Sequence, residues 1–131
     1  MNIPKRFVIV DDDLQNNFLS KIALKKAFGE IEIVDFSIPE LGLNYIETHF
    51  ADTTGGAPTT LLLDINMPDI NGWEFLEKFD TFKDTIKNQF TIYMLSSTID
   101  ASEIDRAKLN PLVKDFIEKP LNKNTLLKFF G

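Results

Sequence analysis

The chain has 131 residues, 44% of them hydrophobic and 26% charged, with a formal net charge of −6. That is one domain's worth of sequence, expected to form a single unit over residues 1–131, and long enough to bury roughly two-thirds of its unfolded surface without a staple. The lack of cysteine excludes disulfide and thiol chemistry, the acidity argues against a nucleic-acid footprint, and no stretch approaches the ~18 apolar residues of a membrane span or forms a signal-peptide core, so a cytoplasmic location is expected.

Residues 7–10, Phe-Val-Ile-Val, read as a first strand. Leu14, Phe18 and Ile22 then recur every fourth residue, with Ala23 and Phe28 nearby. This spacing predicts a helix with an apolar core stripe, stopped at Gly29. Residues 31–36 form a second strand. Ser37-Ile38-Pro39-Glu40 has the pattern of a capping box with proline near the first helical position. The helix it opens carries Leu41, Tyr45 and Ile46. Residues 51–58, Ala-Asp-Thr-Thr-Gly-Gly-Ala-Pro, are the longest loop signal.

Residues 60–63, Thr-Leu-Leu-Leu, make a third strand that is apolar on both faces and runs into Asp64. Asn71-Gly72-Trp73-Glu74 is again cap-like and opens a helix with Trp73, Leu76 and Phe79. Residues 80–89 are polar and give no clear element. Residues 90–95 are a fourth strand. Asp100-Ala101-Ser102-Glu103 caps a fourth helix with Ile104 and Ala107, which Asn110-Pro111 ends. Residues 113–117 are a fifth strand, and Asn122 starts a last helix with Leu126, Leu127 and Phe130.

Five β-α units with few outward polar residues on the strands imply a parallel sheet covered on both faces. Right-handed crossovers then bring every strand's carboxyl end to one edge, where such sheets bind ligands. Asp11 and Asp12 follow the first strand, Asp64 the third, Ser96 and Ser97 the fourth, and Lys119 the fifth. A like-charged pair at ~4 Å costs about 4 kcal/mol at an effective dielectric of ~20. Converging carboxylates therefore call for a hard divalent cation such as Mg²⁺, which takes oxygen ligands and bridges to phosphate. A lysine and a hydroxyl beside them would complete a phosphoryl site, with one carboxylate as nucleophile. Asp13 reads as the N-cap of the first helix. His49 lies late in the second helix, away from that edge, and reads as a surface residue.

The set "VDD", "LLLDINMPDINGWEFL", "MLSS" and "FIEKP", in order and each at a strand end, resembles the receiver domain of two-component response regulators. The resemblance covers the chain from Arg6 to the last helix. It implies a flavodoxin-like sheet of order 2-1-3-4-5 with five helices. It implies Asp64 as phospho-acceptor, Asp11 and Asp12 as the acid pair, and the main-chain carbonyl of Asn66 as a further ligand of Mg²⁺, with Mn²⁺ able to substitute. Ser96 matches the switch hydroxyl, Lys119 the phosphate-contacting lysine and Pro120 a cis-proline. Phe116 matches the aromatic switch position but lacks the hydroxyl of a tyrosine there. Asn66 and Thr98 match the positions that flank the water attacking the phosphoryl group. The implied partners are a sensor histidine kinase or histidine phosphotransfer protein, and a downstream protein at the face of the fourth helix, fifth strand and last helix.

Such a domain catalyses its own phosphorylation and dephosphorylation and is not a conventional turnover enzyme. Two other classes share parts of the pattern. A haloacid-dehalogenase-like phosphatase carries its nucleophile after the first strand in Asp-x-Asp; here that strand gives Asp-Asp-Asp, the strand-ending Asp64 gives Asp-x-Asn, and the length leaves no room for a substrate-capping module. A non-phosphorylated interaction domain on the same fold usually loses the acceptor, the acid pair or the lysine; none is lost here.

Overall fold

Phe7 and Ile9 point to one side of a sheet, Val8 and Val10 to the other, and both sides are covered. The computed structural model describes residues 4–51, 58–97 and 100–130. Five strands, β1 (Arg6–Val10), β2 (Glu32–Phe36), β3 (Thr59–Asp64), β4 (Phe90–Ser96) and β5 (Val113–Glu118), pair in parallel in the order β2-β1-β3-β4-β5. Six helices connect and follow them among the described residues: α1 (Leu14–Phe28), α2 (Pro39–His49), α3 (Gly72–Phe79), α4 (Asp84–Lys87), α5 (Ala101–Leu109) and α6 (Lys123–Phe130). None is long and apolar enough to cross a membrane.

The expected sheet order and the helices on both faces are found. β3 is buried along its whole length, as its continuous leucines require at the centre of a doubly covered sheet. Leu61 and Leu63 join the core under α2, α3 and α5, while Leu62 joins the core under α1 and α6. Each fully buried leucine contributes about 1.5–3 kcal/mol. The predicted cap at Asn71 is present as a complete capping box with Glu74. Trp73, Leu76 and Phe79 are buried as their spacing implies.

Three expectations are corrected here, and a fourth lies in α1. The sixth helix, α4, is a single turn inside the polar stretch 80–89, too short to show a period. Ser37 makes no cap, because Pro39 takes the first helical position and leaves extended Ile38 as the N-cap. Leu41 is exposed, while Gly42, Leu43 and Ile46 face the sheet. Six residues of the 51–58 loop, 52–57, lie outside the described residues.

The largest correction concerns α1. Leu14 is 70% exposed, Phe18 60% and Ile22 36%; the buried positions are Asn17, Ser20, Ala23 and Leu24. A strict four-residue repeat overshoots each helical turn by about 40° and winds off any fixed face. The 3-3-4 spacing of residues 17, 20, 23 and 27, with Leu24 beside them, stays against the sheet. Asp13 fixes where this begins, its carboxylate accepting from the N–H groups of Gln15 and Asn16.

α5 is held differently. Of its residues Ala107 is buried, and the indole N–H of Trp73 on α3 donates to Glu103 Oε2 at 2.7 Å. The Arg106 guanidinium lies 4.6 Å from the Trp73 ring centroid.

The facing of α1 is open to direct measurement. Leu24→Ala should lose about 2–5 kcal/mol of stability, and Phe18→Ala no more than about 0.5 kcal/mol. Urea unfolding of both variants checks this; comparable losses would mean that Phe18 packs in the core.

Candidate functional site

β1 ends at Val10, and the chain turns at Asp11 under four restraints. The Asp11 N–H donates to the carbonyl of Phe36, the last residue of β2 (3.0 Å). Its Oδ1 accepts from the Asp13 N–H (3.0 Å), and its Oδ2 from Lys119 Nζ (3.0 Å). Its carbonyl accepts from Asn17 Nδ2 (2.9 Å). Asp11 is 2% exposed, whereas Asp12 faces solvent.

Asp64 is the last residue of β3 and is 3% exposed. Lys119 Nζ lies 3.2 Å from its Oδ1, and the Asn66 N–H also donates to its carboxylate. The loop after β3 folds back tightly, with the Gly72 N–H donating to the Ile65 carbonyl at 2.9 Å. A Cβ at residue 72 would come within 2.7 Å of the Asp64 carbonyl oxygen. Glycine is therefore required there for close approach, not for an unusual dihedral.

Ser96 ends β4 and is buried; its carbonyl accepts from the Lys119 N–H at 2.7 Å. That bond carries the turn after β5 over the end of β4 and aims Lys119 inward. The Lys119–Pro120 peptide is cis, as expected.

The predicted residues thus divide. Asp11, Asp12 and Asp64 have carboxylate oxygens all within 4.8 Å of one another, and Lys119 reaches two of them. Ser96 ends the neighbouring strand. Asn66 is exposed beside Asp64. Phe116 stands apart: it lies in β5 opposite Met94 of β4 and packs half-buried against the core under α2, α3 and α5. Thr98 lies outside the described residues. Asp13 caps α1 as expected. The residue missed is Asn17, a buried polar side chain tied to Asp11. A polar residue one turn after the acid run is its only trace in the sequence, and the apolar repeat beside it points to a different face.

Burial first, and then the charge of Asp11, push the Asp64 carboxyl up to about 6, against the pull of Lys119 and the Asn66 N–H. Burial works the other way on Lys119, but its hydrogen bond with Asp11 and the charges of Asp11 and Asp64 outweigh it and hold the ammonium above its ordinary value. Three carboxylates against one ammonium leave two formal negative charges. An all-oxygen donor set with that residual charge fits a hard divalent cation.

A family model of the response regulator receiver domain matches residues 7–130. No curated protein matches the sequence. Among solved structures, a response regulator receiver protein from Dyadobacter fermentans is 29% identical, with a TM-score of 0.83 over 95% of this chain and 93% of that one. A two-component response regulator from Cytophaga hutchinsonii is 28% identical, with a TM-score of 0.85 over 99% and 96%. A CheY-like receiver domain protein from Methanospirillum hungatei is 28% identical, with a TM-score of 0.69 over 96% and 90%. With the acid cluster at the carboxyl edge of this sheet, and a family match that spans nearly every residue, the chain belongs to the response regulator receiver domain family of two-component signalling.

Proposed function

We propose that the chain is a single phospho-acceptor receiver unit over residues 1–131, taking a phosphoryl group onto Asp64 from a phosphohistidine on a sensor kinase or phosphotransfer protein. The observation that carries this reading is the cluster of Asp11, Asp12 and Asp64 at the ends of β1 and β3, with Lys119 from the end of β5 reaching Asp11 and Asp64. In the transfer an Asp64 carboxylate oxygen attacks phosphorus, the phosphorus–nitrogen bond breaks, and the electron pair leaves on the imidazole, which takes up a proton. Lys119 stabilises charge on the phosphoryl oxygens, and the Ser96 hydroxyl hydrogen-bonds one of them. Asp11, Asp12, Asp64 and the Asn66 carbonyl would hold Mg²⁺, or Mn²⁺ in its place, which when bound neutralises the remaining phosphoryl charge.

Phosphorylation would draw Ser96 toward the new group and bias the rotamer of Phe116. The readout would pass to the α5–β5–α6 face and a downstream protein. Asn66, exposed beside Asp64, and Thr98 would set how readily water reaches the phosphoryl group. Retention of acceptor, acid pair and lysine together disfavours a non-phosphorylated role. The phosphatase class fares worse, since the family match over residues 7–130 is to the receiver domain.

The donor must bring its imidazole to Asp64, so its surface has to cover the carboxyl edge, where α1 begins. There Leu14, Phe18 and Ile22 present an exposed apolar stripe to it. A phosphohistidine on a helical scaffold would bury that stripe while the histidine enters the site.

Three outcomes test the reading. With acetyl phosphate and Mg²⁺ the parent should gain one phosphate mass and Asp64→Asn none; full labelling of that variant would sink the assignment. Phe18→Asp should label normally with acetyl phosphate but accept phosphate from a phosphohistidine protein at least about tenfold more slowly. Equal slowing with both donors would remove α1 from the docking surface.

The third outcome concerns pH. Asp64 is raised from 3.8 to about 6 on folding. Between those values the folded metal-free chain binds more protons than the unfolded one, so its stability falls as pH rises through the window. The stabilising share is complete below about 4 and lost above about 6. Metal-free Asp64→Asn should therefore melt higher than the parent at about pH 7.5, with the gap closing below about pH 5. Adding Mg²⁺ should raise the parent's Tm more than the variant's, by mass action. Thermal unfolding across pH decides it; coincident metal-free curves at about pH 7.5 would show that the buried charge is already fully compensated.

A further inference from the structure

We infer that Asn17 is a positioning residue for the acid pair, its side chain fixing the peptide that joins Asp11 to Asp12 and so aiming both carboxylates into the cluster. The inference rests on the reading of that cluster as a cation site.

Asn17 sits on the sheet-facing side of α1, 1% exposed, in line with Ala23 and Leu24. Packing alone would place an apolar side chain there. Instead Nδ2 donates to the Asp11 carbonyl, six residues back, at 2.9 Å. Because that partner only accepts, the amide must present its NH₂ to it. Oδ1 is then buried and has no hydrogen-bond partner among the described residues. An unpaired buried acceptor is a liability to stability, so fold stability does not account for the choice of asparagine.

The bond's consequence follows from peptide planarity. The Asp11 carbonyl and the Asp12 nitrogen and Cα lie in one rigid plane. Holding the oxygen sets where Asp11 ends and where Asp12 begins. The other three restraints on Asp11 act on its N–H and its carboxylate, so the Asn17 bond is the one that holds this plane at its oxygen. Asp12 is exposed, so the direction of its carboxylate depends on this plane more than on any neighbour. Asn17 reaches it from the second turn of α1, a rigid element docked by Ala23 and Leu24. Groups that orient metal ligands without touching the metal typically change affinity by about 10–100-fold when removed.

The test is Mg²⁺ binding followed by NMR amide shifts on titrating the metal-free chain with MgCl₂. Asn17→Leu should lower affinity by about tenfold or more, and Asn17→Gln, which keeps the amide on a longer stem, should recover part of it. Leu24→Ala weakens the docking of the same helix and should stay within about twofold of the parent, because it leaves the Asn17 bond in place. If Asn17→Leu does not fold, Asn17→Ser gives the same comparison, its side chain being small enough to fit and too short to reach. The inference is overturned if the Asn17 variants bind within about twofold of the parent, or if Leu24→Ala loses as much as they do. A parent whose Asp11, Asp12 and Asp64 amides do not respond to Mg²⁺ would instead remove the cation site itself, and this inference with it.

Discussion

Lys119 reaches from the end of β5 to Asp11 after β1 and Asp64 at the end of β3, 3.0 and 3.2 Å away. Without it two buried carboxylates would face each other in a medium that hardly screens them. The sheet order makes this bridge both necessary and possible. β1 and β3 are neighbours, so their terminal acids are forced together. β5 lies two strands beyond β3, so a long side chain is needed to come back. The 2.7 Å bond from the Lys119 N–H to the Ser96 carbonyl bends the β5 exit over β4 and shortens that reach. One ammonium still answers only part of the charge. The cluster stays net negative, and the Asp64 carboxyl keeps its raised pKa.

The same edge is held unevenly. Asp11 is restrained at four atoms from β2, both ends of the first turns of α1, and the β5 exit. α5, by contrast, buries Ala107 and is otherwise clasped by Trp73 through Glu103 and Arg106. Elements with few buried apolar contacts open at low free energy. Trp73 follows Gly72, whose backbone closes on the Asp64 peptide. The loop after Asp64 and α5 are thus joined by two consecutive residues, a short mechanical path between the acid cluster and the helix that Trp73 clasps.

The strands and the residues that cluster at their carboxyl ends were legible in the sequence for one reason. A parallel sheet buried on both faces writes its strands as short apolar runs, and its chemistry falls directly after them. Asp64 after three leucines and Lys119 before a proline are hard to misplace on that rule. Periodicity had no purchase on α4, a single turn. At α2 two local signals competed: proline at the first helical position and serine as cap cannot both hold at the spacing of Ser37 and Pro39, and proline's fixed dihedral prevails. The side chains of Asn17 and Phe116 were out of reach, since one depends on which way a helix is rotated and the other on what packs beside a half-buried ring.

α1 shows why that rotation could not be read from hydrophobicity. Its first half turns Asn17 and Ser20 inward and leaves Leu14 and Phe18 outside, the reverse of what packing favours. Its second half makes up the difference. Phe28 stacks on Phe7 with centroids 6.0 Å apart and meets Phe130 edge-on at 6.0 Å, and Phe130 in turn meets Tyr93 at 4.9 Å. Aromatic pairs of this kind contribute about 0.5–1.5 kcal/mol each beyond their burial. They lie at the end of the helix remote from the acid cluster. The helix is therefore anchored away from the acid cluster, which frees its opening turns to break the apolar pattern: the inward face holds the Asp11 carbonyl through Asn17, and the outward face leaves Leu14 and Phe18 at the surface. A helix amphipathic along its whole length would dock more firmly and serve neither end.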